Sequence, residues 1–224
     1  MKASKDSRER CIYCGSDKDL TDDHVPPKLP LMRSYPENLI TVPACLTCNR
    51  SFQKDDEYTR TLSLDVRASK NSTVQANLPA VLRSLQRPGA RGFVEYLASK
   101  TSHSAILGLD GLPMGQVIEP DLSRVNQAGQ RIVRALYFSE LGTHWAVSAV
   151  VRVGSNMGLG AKDEETITIA RALKTLPDWR DRSVGTAFSY VGAIGSQFSF
   201  WFMLLYDFFF WLGTVDSRGV ATPN

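Results

Sequence analysis

Four short stretches decide how this chain is read: Cys11-Ile12-Tyr13-Cys14-Gly15, Asp23-His24-Val25-Pro26-Pro27-Lys28, Asn38-Leu39-Ile40-Thr41-Val42 and Cys45-Leu46-Thr47-Cys48-Asn49. Every cysteine of the sequence sits in one of two Cys-x-x-Cys pairs. Two such knuckles brought together offer four thiolates at tetrahedral reach, the soft, closed set that a structural zinc prefers. A zinc held by Cys11, Cys14, Cys45 and Cys48 staples two segments that otherwise have little reason to meet. Between the knuckles lie an Asp-His pair and Asn38, and directly after them comes Asn49. These residue types suit the holding of a hard divalent ion and the activation of water.

At 224 residues the chain has room for a zinc module of about 60 residues and a second core. A hydrophobic fraction of 43% with 22% charged residues is ordinary for a globular protein and excludes wholesale disorder. The zinc site uses all four cysteines, so none remains for a disulfide. The charged stretch 1–10 lacks the apolar core of a signal peptide; it is expected to be a flexible tail, and the protein to reside in a reducing cytoplasm. A net charge of +3 permits contact with a polyanion without demanding it. Lys28, Arg33, Arg50, Lys54 and Arg60 lie close in sequence to the metal candidates. Of these, Lys28, Arg50 and Lys54 are candidates for phosphate contact, with plain solvation of the module as the alternative.

Local patterns place these residues on elements. Gly15 supplies the positive-φ position after the first knuckle. Pro26, Pro27, Pro30 and Pro36 make the next segment an extended loop, and Leu39 to Val42 has the β-branched content of a short strand. From Asn49 to about Arg67 neither proline nor glycine occurs, and Phe52, Tyr58, Leu62 and Val66 form a helical apolar stripe. Together these predict a ββα unit. Residues 68–77 read as a linker, Leu78 to Gln86 and Arg91 to Ser99 as helices, and 105–120 as a hairpin. Leu122 to Leu141 is the clearest helix beyond the module: Leu122, Val125, Ile132, Val133, Leu136 and Tyr137 share a face, and Gly142 is its stop. The run from Phe198 to Val215 is almost continuously apolar and, at about 18 residues, nearly long enough to span a bilayer. Asp207 at its centre is expensive in hydrocarbon, and the aromatic content favours strands. Two buried strands joined near Tyr206-Asp207 are preferred to a membrane anchor, with Val184 to Val191 as a third strand. The fold class is α+β: a zinc-stapled module at 11–67, then a mixed α/β domain at 78–224 ending in apolar strands.

The chemistry concentrates in the first module. A neutral His24 imidazole near a phosphodiester can deprotonate water for in-line attack; a structural histidine or an extra zinc ligand is the alternative. Asp23 offers a carboxylate to a magnesium-like ion, although adjacent side chains on a strand point to opposite faces, so a bend is needed for both to serve one site. The Asn49 amide oxygen can complete metal binding opposite Asp23, or the residue can cap a helix starting there. The Asn38 amide can bridge backbone groups across the loop between the knuckles and so orient the segment bearing His24. Asp55-Asp56-Glu57 reads as a charge cluster at a helix N-terminus.

Taken together, Cys11-x-x-Cys14, Asp23-His24-Val25-x-Pro27, Asn38-Leu39 and Cys45-x-x-Cys48-Asn49 resemble the zinc-containing HNH endonucleases, in the variant whose third signature residue is asparagine, and within it a bacterial branch. The resemblance covers roughly residues 8 to 65. It implies a ββα-metal module with His24 as general base, Asp23 and Asn49 as ligands of a catalytic magnesium or manganese, and Asn38 as the asparagine orienting the loop. It also implies hydrolysis of phosphodiester bonds, in DNA more than RNA, with the ion stabilising charge on the leaving group. Two departures stand out. Phe52 and Gln53 occupy the region where many members carry a lysine, and Pro26-Pro27-Lys28 replaces a simpler Ile-x-Pro pattern. A zinc-scaffolded nucleic-acid or protein binding module without efficient cleavage is the rival reading. No functional motif is evident from residue 78 onward.

Overall fold

A computed structural model describes residues 9–28, 31, 35–63, 72–107, 113–142, 149–155, 175, 179–195, 198–206 and 209–216. The chain begins with an antiparallel hairpin of β1 (Leu20–Val25) and β2 (Ile40–Cys45), in which Asp23 faces Val42 and His24 faces Thr41. Two short helices follow, α1 (Leu46–Ser51) and α2 (Gln53–Leu62), broken at Phe52. The hairpin and the helical stripe match the expected order of elements, with Tyr58 and Leu62 buried. The helix starts earlier than expected, because Cys45 is its cap: Cys48 N donates to Cys45 Sγ at 3.4 Å. Asn49 is therefore inside α1 and does not cap it. Val66 lies outside the described residues.

Next come α3 (Ser72–Leu85), a short 3-10 turn, α4 (Arg91–Ser99) and a hairpin of β3 (Thr101–Leu107) with β4 (Pro113–Ile118). The segment read as a linker over 68–77 is helical from Ser72. Its polar composition conceals one buried side chain, Val74, and a hydrogen bond from Asn77 Nδ2 to Tyr206 Oη at 3.4 Å. Tertiary contact overrides composition there.

Helix α5 (Leu122–Leu141) runs through the middle of the molecule. Asp121 caps its N-terminus through Ser123 N and Arg124 N, and Gly142, at φ +68°, ends it in the left-handed region with its N–H on Phe138 O. Leu122 is exposed and Tyr137 half-buried, so the buried stripe is carried by Val125, Ile132, Val133 and Leu136. One side of α5 packs on α2 and the first hairpin, the other on a five-stranded antiparallel sheet. That sheet is built of β5 (Val150–Ser155), β6 (Trp179–Val184), β7 (Phe188–Ile194), β8 (Phe198–Leu205) and β9 (Phe209–Asp216), in the order β5-β9-β8-β7-β6. The apolar run from 198 is two paired strands turning at Tyr206, as expected. Both of their faces are covered. Trp201, Met203, Leu205 and Trp211 join the main core, while Phe202 and Phe210 pack with Val191 on the opposite face. The third strand expected over 184–191 is present beside β8 as β7, but it begins at Phe188, because Val184 ends β6 and Gly185, φ +58°, lies in the turn joining β6 to β7.

Close approach of α5 to the sheet requires glycine twice. A Cβ on Gly129 would meet the Trp211 ring at 2.6 Å, and one on Gly213 would meet Val133 Cγ2 at 2.5 Å. Among the described residues, no helix is long and apolar enough to cross a membrane. Ile12, Val25, Val42 and Tyr58 belong to the same buried cluster as Ile132, Leu136 and Trp201, so one core runs from the first hairpin and α2 through α5 to the sheet.

Candidate functional site

The sulfurs of Cys11, Cys14, Cys45 and Cys48 all lie within 4.8 Å of one another, and Cys14 Sγ to Cys45 Sγ is 3.6 Å. A tetrahedron with Zn–S of about 2.3 Å has edges of about 3.8 Å, so the donor set suits a structural zinc. The backbone shapes this cluster before any metal enters. Cys11 N donates to Ser16 O at 2.7 Å, Gly15 N returns to Cys11 O at 2.8 Å, and Ile12 N ties the knuckle to Pro43 O at 3.0 Å. The Cys48 N–H on Cys45 draws that thiol down to about 7, while burial and the neighbouring cysteines push the Cys48 thiol up.

Beside the cluster opens a cleft of about 380 Å³ that contains Asp23, His24, Lys28 and Asn49. Asp56, Glu57 and Arg131 complete its polar wall. Asp23 and His24 alternate along β1, yet both reach this cleft. His24 is half-buried; burial, and next the Lys28 cation, lower its pKa below the ordinary 6.5, so the ring is neutral at pH 7 and able to accept a proton. Asn49 Nδ2 donates to Thr21 Oγ1 at 3.0 Å and to Asp22 O at 3.5 Å, which orients the amide and leaves its oxygen as the acceptor.

Asp23 is only 2% exposed. Arg131 Nε donates to its Oδ2 at 3.0 Å, Arg131 Nη2 to its Oδ1, and Tyr13 Oη to Oδ2 at 2.6 Å. The same guanidinium reaches both oxygens of Asp56 through Nη1 at 2.6 Å and lies 4.5 Å over the Phe52 ring. One cation thus serves two carboxylates. Its own pKa is pushed above the usual arginine range by Asp56 and Asp23 against the opposing effect of burial, while burial lifts Asp56 to about 6. A carboxylate has about four acceptor positions, and three of those on Asp23 are used, so one is left for a further ligand. The Asn49 oxygen and the cleft carboxylates are hard oxygen donors, but among the described residues the cluster of His, Cys, Asp or Glu side chains close enough to hold an ion is the four-cysteine one.

Asn38 lies away from the cleft. Its amide does bridge backbone groups, but they belong to the β6–β7 turn: Nδ2 donates to Ser183 O at 2.7 Å and Oδ1 accepts from Gly185 N at 3.3 Å. It fastens the loop before β2 to the distant sheet. Lys28 lines the cleft with its ammonium 5.1 Å over the Tyr35 ring. Arg50 and Lys54 are exposed and lie outside the cleft wall; Arg33 lies outside the described residues.

Sequence reading missed Arg131, Asp56 and Tyr13. The signal for Arg131 was present as a charge inside the buried face of α5, at helical spacing from Ala128 and Ala135. Asp55 and Asp56 do start α2, yet each also meets a partner on α5, since Arg124 Nε donates to Asp55 Oδ1 at 2.8 Å. No protein-family model, curated protein or solved structure matches the chain.

Proposed function

We propose that this protein is a divalent-metal-dependent endonuclease of the HNH type, hydrolysing phosphodiester bonds of nucleic acid, DNA in preference to RNA. The observation that carries the reading is a neutral, half-buried His24 sharing one cleft with Asp23 and Asn49, next to the four-cysteine cluster. In this reading a ring nitrogen of His24 takes the proton from the attacking water. Asp23 and Asn49 would hold magnesium or manganese, which supplies charge stabilisation for the departing oxygen. Lys28 offers a cation to the scissile phosphate from the same cleft wall. Arg131 and Tyr13 fix the Asp23 carboxylate against rotation, and Thr21 does the same for the Asn49 amide. Asn38 supports the loop from the C-terminal sheet, so its contribution to chemistry is indirect.

The rival reading, a zinc-scaffolded binding module without efficient cleavage, is favoured by one specific observation: most of the acceptor capacity of Asp23 is already spent on Arg131 and Tyr13. The two are separated by a cleavage assay on supercoiled plasmid and on RNA with magnesium, manganese or neither. The nuclease reading expects metal-dependent cutting that is lost in His24→Ala while zinc content stays at one per chain. Cutting that survives His24→Ala defeats the proposed base. Nucleic-acid binding with no cutting under any of these conditions selects the binding module.

A further inference from the structure

A second cleft, of about 310 Å³, uses the neighbouring face of α1. Asn49, Gln53, Asp56 and Glu57 line the first cleft, Cys48, Ser51 and Phe52 the second, and Arg131 lines both. The remaining wall comes from Tyr13 and from Gln127, Gln130 and Arg134 of α5. Those three follow at helical spacing, so a single stripe of α5 presents them.

The two clefts have opposite chemistry. The first carries the carboxylates of Asp23, Asp56 and Glu57, whereas among the described residues no carboxylate lines the second. In its place stand two guanidinium groups, of which Arg131 is already paired with Asp23 and Asp56, two carboxamides, the hydroxyls of Tyr13 and Ser51, and the Cys48 sulfur. Ser51 Oγ donates to Cys48 O at 2.7 Å, and Gln127 Nε2 donates to Ser123 Oγ at 3.3 Å. Arg134 and Gln130 then supply the N–H donors suited to a phosphate oxygen. Arg134 is half-buried, and the fork of its guanidinium matches two phosphate oxygens.

We infer that this second cleft is a phosphodiester subsite, seating a backbone phosphate of the same polynucleotide strand whose scissile phosphate occupies the first cleft, with Arg134 as the charged contact and Gln130 as the neutral one. The inference rests on the nuclease reading of the first cleft. It places substrate recognition on α5, outside the segment that resembles the HNH family. A strand crossing between the clefts passes the Phe52–Arg131 pair that separates them.

The test uses full-length protein carrying His24→Ala and fluorescence anisotropy with three labelled probes of one sequence: duplex DNA, single-stranded DNA and single-stranded RNA. Arg134→Ala is expected to weaken binding about tenfold and to reduce the slope of log affinity against log salt by about 0.9 on duplex DNA. Gln130→Ala weakens binding without changing the slope. Gln130→Glu, which sets a carboxylate in the cleft, weakens it further and serves in place of Arg134→Ala if that variant fails to fold. Arg83→Ala, exposed on α3, leaves both quantities unchanged. The tightest probe identifies the sugar of the preferred strand. Unchanged affinity and slope in Arg134→Ala, together with unchanged affinity in Gln130→Glu, overturn the subsite, as does absence of binding to all three probes at low salt. The two readings fail separately. Metal-dependent cutting by the wild type with a KM indifferent to Arg134 removes the subsite alone, while Arg134-dependent binding by a protein that never cuts removes the nuclease alone.

Discussion

Replacing Arg131 by methionine keeps most of the side-chain volume and removes the one cation between Asp23 and Asp56, both of which are held by it in the folded protein. An aspartate left without its partner in such surroundings either stays charged or takes up a proton. Protonation of an ordinary aspartate at pH 7 costs about 1.4 kcal/mol for each of roughly three pH units, about 4 kcal/mol in all. That figure is a ceiling on the loss per carboxylate, and it falls within the ~3–5 kcal/mol found when a buried ion pair loses one member. For a chain of this size about 4 kcal/mol corresponds to a fall in Tm of roughly 8–16 °C. At pH 5 the same protonation costs only about 1.5 kcal/mol, so the destabilisation through Asp23 should shrink by up to about 2.7 kcal/mol between the two pH values. Asp56, already lifted to about 6 by burial, adds about 1.4 kcal/mol or less at pH 7 and little at pH 5. Urea unfolding of wild type and Arg131→Met at pH 7 and pH 5, with Asp23→Asn added to each, measures both the loss and its coupling. Asp23→Asn should restore stability in the Arg131→Met background and reduce it in the wild type. A loss equal at pH 5 and pH 7, with no coupling to Asp23, would refute the charge clamp and leave only the lost packing on Phe52.

Cleavage, if His24 is the base, should show an acid limb whose inflection lies below pH 6.5, and Lys28→Ala should move it upward; an inflection above 6.5 in the wild type contradicts a depressed His24. The same depression makes the unfolded chain the tighter proton binder. The His24 contribution to stability is therefore full above about pH 6.5 and declines as pH falls below it, readable from denaturant midpoints of wild type and His24→Gln. Asn38→Ala removes two hydrogen bonds to the β6–β7 turn and should cost about 1 kcal/mol, with faster amide exchange at Gly185; unchanged exchange there argues against the tether. Native mass spectrometry should find one zinc per chain. Cys45→Ser or a strong chelator should abolish it and lower Tm, and a protein whose Tm is indifferent to chelator lacks the staple.

Much of the architecture could be read locally. The cysteine spacing announces a four-sulfur cluster, because the turn of a knuckle is a local property, closed here by Gly15 N on Cys11 O and Cys11 N on Ser16 O, with Ile12 N then tying it to Pro43 O. Helix α5 is legible from its apolar period, its Asp121 cap and its Gly142 stop. The apolar run from 198 gives two strands because β8 and β9 are covered on both faces, which erases the usual alternation. Where reading failed, one long-range contact was responsible. Val74 and Asn77 turn a polar linker into the first turns of a helix, and the Gly185 turn, held by Asn38, moves the start of the third strand to Phe188.

The candidate site divides in the same way. The sequence by itself determined which groups are present and which neighbours they have along the chain: four thiols in two knuckles, Asp23 beside His24, Asn49 after the last cysteine. It could not say how the charge on Asp23 is balanced. That depends on Arg131, which is 108 positions away and reaches Asp23 only because α5 packs between the first hairpin and the sheet. Ion pairing is set by distance in space, whereas motif spacing records distance along the chain. Tertiary packing alone therefore decided that one guanidinium closes over two carboxylates, that Asn38 is a tether to the sheet, and that a cleft lined by Gln127, Gln130 and Arg134 opens beside the acidic one.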